Sequence, residues 1–186
     1  MGDLDEVDRK ILGTISENPE ISQIELSELL KISQPAVSAR IHKLRQSGVL
    51  THLIGTNIRK SQLFFAKVDV ITTEPDKLIA VFDKCPLYVN SFLTSGRYNL
   101  TILLVAENMR SIMSCVDSHL RTHSSIRDME FNLIITSARD FIVPVKPIVD
   151  KSKLTPCGTQ CAPCSLYANN RCLGCPGSVD YKGSIL

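Results

Sequence analysis

The sequence predicts a mixed α+β protein of three parts, and three observations support that prediction. Apolar residues recur at helical spacing up to residue 48 and then follow a pattern of alternating strands and helices. Residues 29–60 hold six bases and no acid. Five of the seven cysteines lie between Cys157 and Cys175.

The composition sets the class of protein. The chain has 186 residues, of which 44% are hydrophobic and 22% charged, so it can bury a core and is not expected to be disordered. Its longest apolar runs fall short of the ~20 residues that cross a bilayer. The first ten residues carry acids where a secretory signal would carry bases before an apolar run. We therefore expect a soluble, cytoplasmic protein with no membrane contact.

Three helices are predicted at the N-terminus. The first contains Leu4, Val7, Ile11, Leu12 and Ile15 and ends at Asn18-Pro19. Ser22 and Glu25 have the spacing of a capping box and begin a short second helix. Ser33 caps the third helix, which carries Pro35 in its first turn and stops at Gly48.

A two-stranded wing is predicted next, over Thr51–Ile58, with its turn at Gly55-Thr56-Asn57. Three helices followed by a wing form a winged helix-turn-helix, and we assign it to residues 1–60.

The third helix has the pattern of a recognition helix. Val37, Ile41 and Leu44 share its buried face, which leaves small and polar residues on the opposite face. The residues expected to contact base edges are Gln34, Ser38 and His42, with Pro35 at the exposed N-terminal end. The residues expected to hold the DNA backbone are Lys43, Arg45, Arg59 and Lys60. Arg40 lies at the flank, where its head reaches either a phosphate or a neighbouring acid, and we count it with Lys43 and Arg45 among the bases expected to supply DNA-binding energy. The alternative is a helical bundle for protein contacts.

A second domain is predicted over residues 61–143. Its expected elements are a strand at Phe64–Ile71, a helix at Pro75–Cys85, strands at Val89–Ser95 and Leu100–Ala106, a helix at Met109–His123 and a strand over Met129–Ile135. The order βαββαβ is that of the ferredoxin-like sandwich. Cys85 and Cys115 fall on apolar helical patterns and are expected in its core.

Residues 144–186 are predicted to be a stiff linker, marked by Pro144 and Pro147, and a cysteine-rich tail. The two CxxC pairs, Cys161–Cys164 and Cys172–Cys175, are spaced to converge on one metal ion, with Cys157 as an alternate ligand or a free thiol. Zinc is the favoured metal, and a [4Fe–4S] cluster or a metal-free thiol/disulfide switch are the alternatives. The C-x3-C-x2-C opening also matches radical-SAM enzymes, but the chain lacks room for their barrel.

The chain resembles a known family at several places in order. Leu4-Asp5, Asp8–Leu12, Ser33–Ile41 with Leu44, and Ser47–Leu50 resemble the Lrp/AsnC (feast/famine) transcription regulators over roughly residues 3–141. The resemblance implies a sequence-specific regulator of double-stranded DNA rather than an enzyme. It also implies homodimers formed through the sheets of the second domain, often joined into tetramers or octamers.

The resemblance extends to a loop for a small-molecule effector. The family pattern there is Gly-any-Tyr-Asp, and this chain has Gly96, Arg97, Tyr98 and Asn99. Because Asn99 replaces the acid, a contact to a ligand ammonium would be weaker. The alternative is a simple hairpin turn.

The tail resembles small CGxxCxxC…CxGC modules of prokaryotic proteins, which implies an archaeal or bacterial source.

Three other functions remain open at this point. Some proteins of this architecture resemble sirohaem decarboxylases, which would need a haem-sized pocket with histidines, and only His119 and His123 lie in the second domain. An iron–sulfur redox sensor acting as a regulator is the second alternative. A DNA-free interaction adaptor is the third.

Overall fold

The computed structural model describes residues 4–145 and 150–183. Two compact units divide the chain, Met1–His52 and Leu53–Leu186. The boundary between the units falls after His52, whereas the sequence analysis placed the end of the first domain at residue 60. Arg59 and Lys60 therefore lie in the second unit. Pro147 of the predicted linker lies outside the described residues, whereas Pro144 directly follows the last strand.

The first unit contains the three predicted helices, α1 (Glu6–Glu17), α2 (Gln23–Leu30) and α3 (Gln34–Gln46). Each begins at a side-chain cap, supplied by Asp5, Ser22 and Ser33 respectively. The Asp5 and Ser22 caps are reciprocal capping boxes, which satisfy backbone N–H groups that a helix start leaves unpaired. The helices pack around one buried apolar cluster: Ile11, Leu26, Val37, Ile41 and Leu44.

The predicted wing is wrong in its strand pairing. Within residues 51–58 the only strand is β1 (Thr56–Asn57), and its antiparallel partner is β6 (Ile142–Val143) rather than a neighbouring segment. A Cβ atom on Gly55 would overlap the backbone carbonyl of Val143, so glycine permits this close approach. The turn residues indicated a hairpin, but the pairing partner comes from the far end of the second domain.

The second unit contains the predicted βαββαβ order. Its elements are β2 (Phe64–Thr72), α4 (Pro75–Phe82), β3 (Tyr88–Leu93), β4 (Leu100–Ala106), α5 (Met109–His119) and β5 (Ile126–Ile134). The four strands form one antiparallel sheet in the order β3-β4-β2-β5. This sheet and two helices make the ferredoxin-like arrangement expected from the sequence.

The core of the second unit lies between the helices and the sheet. Leu78 and Phe82 of α4, with Ile112 and Val116 of α5, are buried against the sheet. Both helices end earlier than predicted, α4 at Phe82 and α5 at His119. Cys115 is buried in this core, as predicted, and the partly buried Cys85 packs against it.

The tail has little regular structure. It contains one short helix, α6 (Ser165–Ala168), and an isolated parallel bridge between Ser152 and Ser178. Tyr181 joins it to the sandwich, because its hydroxyl donates to Glu107 Oε1 at 2.5 Å. Among the described residues, no helix has both the length and the apolarity that crossing a membrane requires.

Candidate functional site

Helix α3 presents the face predicted for nucleic-acid contact. Its buried residues are Val37, Ile41 and Leu44. Gln34, Pro35, His42, Lys43 and Arg45 are exposed, and Ser38 is half-buried. Arg45 Nη2 lies 3.0 Å from His52 Nε2, so part of its hydrogen-bonding capacity is used within the unit. The exposed face offers polar side chains in its N-terminal half and bases towards its C-terminal end.

Arg40 contacts acids of α1. Its Nη1 lies 2.6 Å from Asp5 Oδ2 and 2.7 Å from Asp8 Oδ1. Asp8 is buried, so the guanidinium neutralises a carboxylate that has left water. The backbone N–H of Asp8 and the Arg40 guanidinium lower the pKa of Asp5, and the two carboxylates raise the pKa of Arg40. The sequence analysis gave a phosphate or a neighbouring acid as the partner of Arg40, and in the structure the guanidinium contacts the acids Asp5 and Asp8.

Arg59 and Lys60 also have an acidic partner. Lys60 Nζ lies 3.1 Å from Asp140 Oδ2, and Arg59 Nη1 lies 3.9 Å from Asp140 Oδ1. The hydrogen bond from Lys60 lowers the pKa of Asp140. Asp140 was missed by the sequence analysis because it is remote in the chain and becomes a neighbour only through the β1–β6 pairing.

The predicted effector loop, Gly96–Asn99, connects β3 to β4. Asn99 uses its side-chain amide on β2, accepting from Thr72 N at 2.9 Å and donating to Thr72 O at 2.8 Å. Arg97 Nη2 lies 2.9 Å from Asp128 Oδ2. Gly96 and Arg97 are exposed and Tyr98 is half-buried. The loop is therefore anchored by Asn99 while its basic side chain remains at the surface, and its role towards an effector stays a prediction.

The tail cysteines meet the sandwich at one cavity. All seven cysteines of the chain and His119 line this cavity, whose volume is about 80 Å³. Cys85 comes from the turn after α4, Cys115 and His119 come from α5, and the other five cysteines come from the tail. We refer to it as the cysteine cavity. Cys157, Cys161, Cys164, Cys172 and Cys175 thus all line one cavity, together with three residues that the sequence analysis did not include, and the convergence of the tail thiols on one metal ion stays a prediction.

The tail backbone is shaped around its sulfur atoms. Gly174 N donates to Cys172 Sγ at 3.3 Å. Gly174 has a φ of 90°, and a Cβ there would lie 3.3 Å from Tyr167 and from the Asp180 carbonyl. In the first CxxC pair, Cys164 N donates to Cys161 O at 3.0 Å.

Cys157 has the most polar surroundings of the tail thiols. Its Sγ lies 3.1 Å from Thr155 Oγ1 and 3.6 Å from Thr159 Oγ1. The hydrogen bond with His119 is the largest cause that lowers the pKa of Cys157 to about 6, and the same contact raises the pKa of His119. Burial instead raises the pKa of Cys175 to about 12.

The cysteine cavity is an open space, and its lining residues do not enclose a single ion-sized point. Cys85 Sγ and Cys115 Sγ are 4.0 Å apart. In the part of the chain that the structure describes, no group of three or more His, Cys, Asp or Glu is arranged to hold a metal ion.

His119 and Cys115 are four residues apart on α5, a helical spacing that places them on one face and is visible in the sequence. That spacing is the signal that the sequence analysis did not use.

Neither histidine of the second domain stands free in a haem-sized pocket. His119 packs edge-on against Phe82, with ring centroids 6.1 Å apart, and contacts Cys157. His123 Nδ1 lies 2.9 Å from Ser125 Oγ. Both imidazoles therefore have partners within their own unit.

The first unit is similar to a known protein family. Residues 4–51 match a model described as winged helix-turn-helix, DNA-binding. This segment contains α1, α2 and α3 with all their caps, so the match covers the first unit almost completely.

Several curated proteins resemble a longer part of the chain. The HTH-type transcriptional regulator Rv2324 of Mycobacterium tuberculosis is 22% identical over 152 residues, which are 77% of this chain and 100% of that protein. The leucine-responsive regulatory protein of Rhizobium meliloti is 26% identical over 145 residues, covering 74% of this chain and 93% of that protein.

Solved structures share the fold. The crystal structure of PH0061, whose sequence is a Pyrococcus horikoshii protein, has a TM-score of 0.65 at 24% identity, over 76% of this chain and 99% of that one. Escherichia coli AsnC has a TM-score of 0.62 at 17% identity, over 74% and 96%. A Neisseria meningitidis transcriptional regulator in complex with L-Met has a TM-score of 0.59 at 19% identity, over 74% and 93%.

Proposed function

We propose that this chain is a sequence-specific, DNA-binding transcriptional regulator of the Lrp/AsnC type that acts on double-stranded DNA. The observation that carries the proposal is α3, whose apolar face is buried and whose opposite face exposes Gln34, His42 and Lys43. A capped helix of this kind, in a segment that matches a DNA-binding family model, is suited to the major groove. Such a protein works in the cytoplasm of a prokaryotic cell.

The relatives agree with this class of function. They are named HTH-type transcriptional regulators, with the leucine-responsive regulatory protein among them. The solved structures of the same fold include AsnC and a regulator bound to L-Met. No step of the proposal requires enzymatic chemistry.

The side chains of α3 divide into two roles under this proposal. Gln34 and His42 are exposed and Ser38 is half-buried, and all three lie in the part of the helix that would contact base edges. Lys43 and Arg45 follow them and would contact phosphates. Arg40 orients α3 against α1 through Asp5 and Asp8, so its contribution to DNA binding is indirect.

We propose a homodimer, or a higher oligomer built from it, as the active species. One helical unit reads only a few base pairs, so a two-fold pair is needed for a long operator. Exposed apolar residues of the second unit, among them Phe92, Leu93 and Ile135, offer surface for such assembly.

A small amino acid is the proposed effector. The neighbour bound to L-Met supports this class of ligand. In this chain the carboxylate of such a ligand would compete with Asp128 for Arg97. The side-chain amide of Asn99 is already engaged with Thr72.

The tail is proposed to bind a metal through Cys161, Cys164, Cys172 and Cys175, with Cys157 as a further thiol. Zinc and a [4Fe–4S] cluster are the two candidates. The presence of all five tail cysteines on the lining of the cysteine cavity supports this assignment. Because the tail has few large apolar residues, a bound metal would supply most of its folding energy, ~10–16 kcal/mol for structural zinc.

The test is selection of binding sites from a random pool of double-stranded DNA with the full chain. We expect a pseudo-palindrome whose half-sites are spaced by about 10 bp or a multiple of it. Light scattering should find a dimer or larger species at micromolar concentration. Binding of equal strength to all sequences, or tight binding by a monomer, would contradict the proposal.

A further inference from the structure

The cysteine cavity contains more donors than one ion can use. A structural zinc takes four ligands, and its Zn–S distance of about 2.3 Å draws the thiolates together around the ion. Here seven thiols and one imidazole line an open space of about 80 Å³. One water needs a cavity of roughly 10–15 Å³, so this space has room for several atoms rather than for one ion.

A second feature of the cavity is a polar group without a partner. Ser111 of α5 lines the cavity and is 2% exposed. Its Oγ has no hydrogen-bond partner among the described residues. A buried hydroxyl left without a partner costs stability, so the cavity is expected to hold an acceptor. The sulfur atoms of a metal cluster are such acceptors, and hydrogen bonds to them are a common feature of iron–sulfur sites.

The third feature is that the cavity is lined from both sides. His119, at the C-terminal end of α5, and Cys157 of the tail both line it. Phe82 packs edge-on against the His119 ring, with ring centroids 6.1 Å apart. Histidine and cysteine together ligate iron in some iron–sulfur centres. His119 therefore lies where a donor from the sandwich can join the donors of the tail.

We propose that the cysteine cavity binds an iron–sulfur cluster that is ligated from both sides, by thiolates of the tail and by His119 of α5. This proposal rests on the metal-binding tail proposed above and extends its ligand set to the second unit. Ser111 would donate to a cluster sulfur atom, and Cys85 and Cys115 complete the sulfur-lined wall. Cluster binding would then fix the tail to α5, which the tail sequence alone could not do.

The experiment uses the full chain purified without oxygen. Iron, acid-labile sulfide and zinc are measured per chain, together with the visible spectrum and the reduction potential. We expect more than one iron per chain, with sulfide in about equal amount. Zinc as the bound metal, or a single iron without sulfide, would overturn the proposal.

Two substitutions at one position then test the role of the imidazole. His119→Gln should lose at least half of the iron, because the amide is a poor ligand. His119→Cys should keep the cluster but lower its reduction potential, since histidine ligation raises the potential relative to cysteine. His123→Gln is the matched control, being close in sequence but outside the cavity, and should match the unaltered chain in both measurements.

Full iron content and an unchanged potential in both His119 variants would overturn the ligation by His119. If His119→Gln fails to fold, the potential of His119→Cys still decides the question. DNA binding is measured on the same preparations. A chain that binds the cluster but no DNA would refute the proposed regulator and leave this inference standing, and the reverse result would refute only the inference.

Discussion

Arg40 Nη1 lies 2.7 Å from Asp8 Oδ1, and the Asp8 side chain is only 4% exposed. The pair joins the third helix to the first, and Asp5 at the cap of α1 completes it. A buried carboxylate without its cation would be strongly destabilising. This contact therefore joins α3 to α1 within the first unit and engages Nη1 of Arg40 with both acids.

Replacing Arg40 should destabilise the first unit. In Arg40→Gln the buried Asp8 loses its cation, so we expect the melting temperature of this unit to fall by several degrees. Hydrogen exchange of the backbone amides in α1 and α3, measured on the full chain, would report the stability of the first unit separately from that of the second. Lys43→Gln is the control, because Lys43 is exposed on the same helix. Equal effects of the two substitutions would contradict a structural role for Arg40.

Acid should weaken the same contact through Asp5. The pKa of Asp5 is lowered below its ordinary value of 3.8, so its stabilising effect is complete above that pH and is lost as the pH falls through the lowered pKa. Asp5→Asn should therefore be less stable than the unaltered chain near neutral pH, and the difference should shrink below pH 3.8. Thermal unfolding at a series of pH values measures it. A difference that grows on acidification would refute the assignment.

DNA binding should separate Lys43 from Gln34. Lys43→Ala should weaken binding to all sequences alike and reduce the salt slope by about one unit, as expected for a lost phosphate contact. Gln34→Ala should instead change base preference, by ~1–3 kcal/mol at the contacted position. Titrations against operator and unrelated DNA at several salt concentrations distinguish them. The opposite assignment of effects would mean that α3 is rotated relative to this description.

If the tail binds a metal as proposed, removing that metal should unfold the tail and spare the rest. Cys161→Ser with Cys172→Ser, or chelation of the unaltered chain, should abolish protection from hydrogen exchange over residues 150–183. The first 141 residues should stay folded and able to dimerise, because both units have their own apolar cores. A zinc site should leave DNA binding indifferent to mild oxidants, whereas an iron–sulfur site should bleach in air and change DNA affinity in parallel. A full metal complement in the double variant would refute the assignment of these thiols.

The pairing of β1 with β6 should depend on Gly55. Gly55→Ala places a methyl group against the Val143 backbone, so the pairing should be lost or the second unit destabilised by about 1–3 kcal/mol. Gly96→Ala is the matched control, since open space surrounds that position. Hydrogen exchange at Ile58, whose N–H donates to the Phe141 carbonyl at 2.9 Å beside the paired strands, would report the pairing directly. Unchanged protection in Gly55→Ala would contradict the close approach seen here.

Local features were predictable because their physical causes are local. Ser22, Ser33 and the spacing of Val37, Ile41 and Leu44 set the start and the buried face of each helix within a few residues. The same holds for β4, which spans Leu100–Ala106 as predicted, since an apolar run of this length between turn residues favours a buried strand. The ends of α4 and α5 were less well predicted because the apolar pattern continues past the last helical turn.

The amino-acid sequence by itself determined the helices, the strand order and the gathering of five cysteines in one tail. Each depends on periodicity, capping or spacing, and these act between near neighbours. Only the tertiary structure decided that Arg40 faces Asp8, that β1 pairs with β6, and that the tail lies on His119. These relationships join residues far apart in the chain. Their partners are chosen by burial and packing of whole elements, which no local pattern specifies.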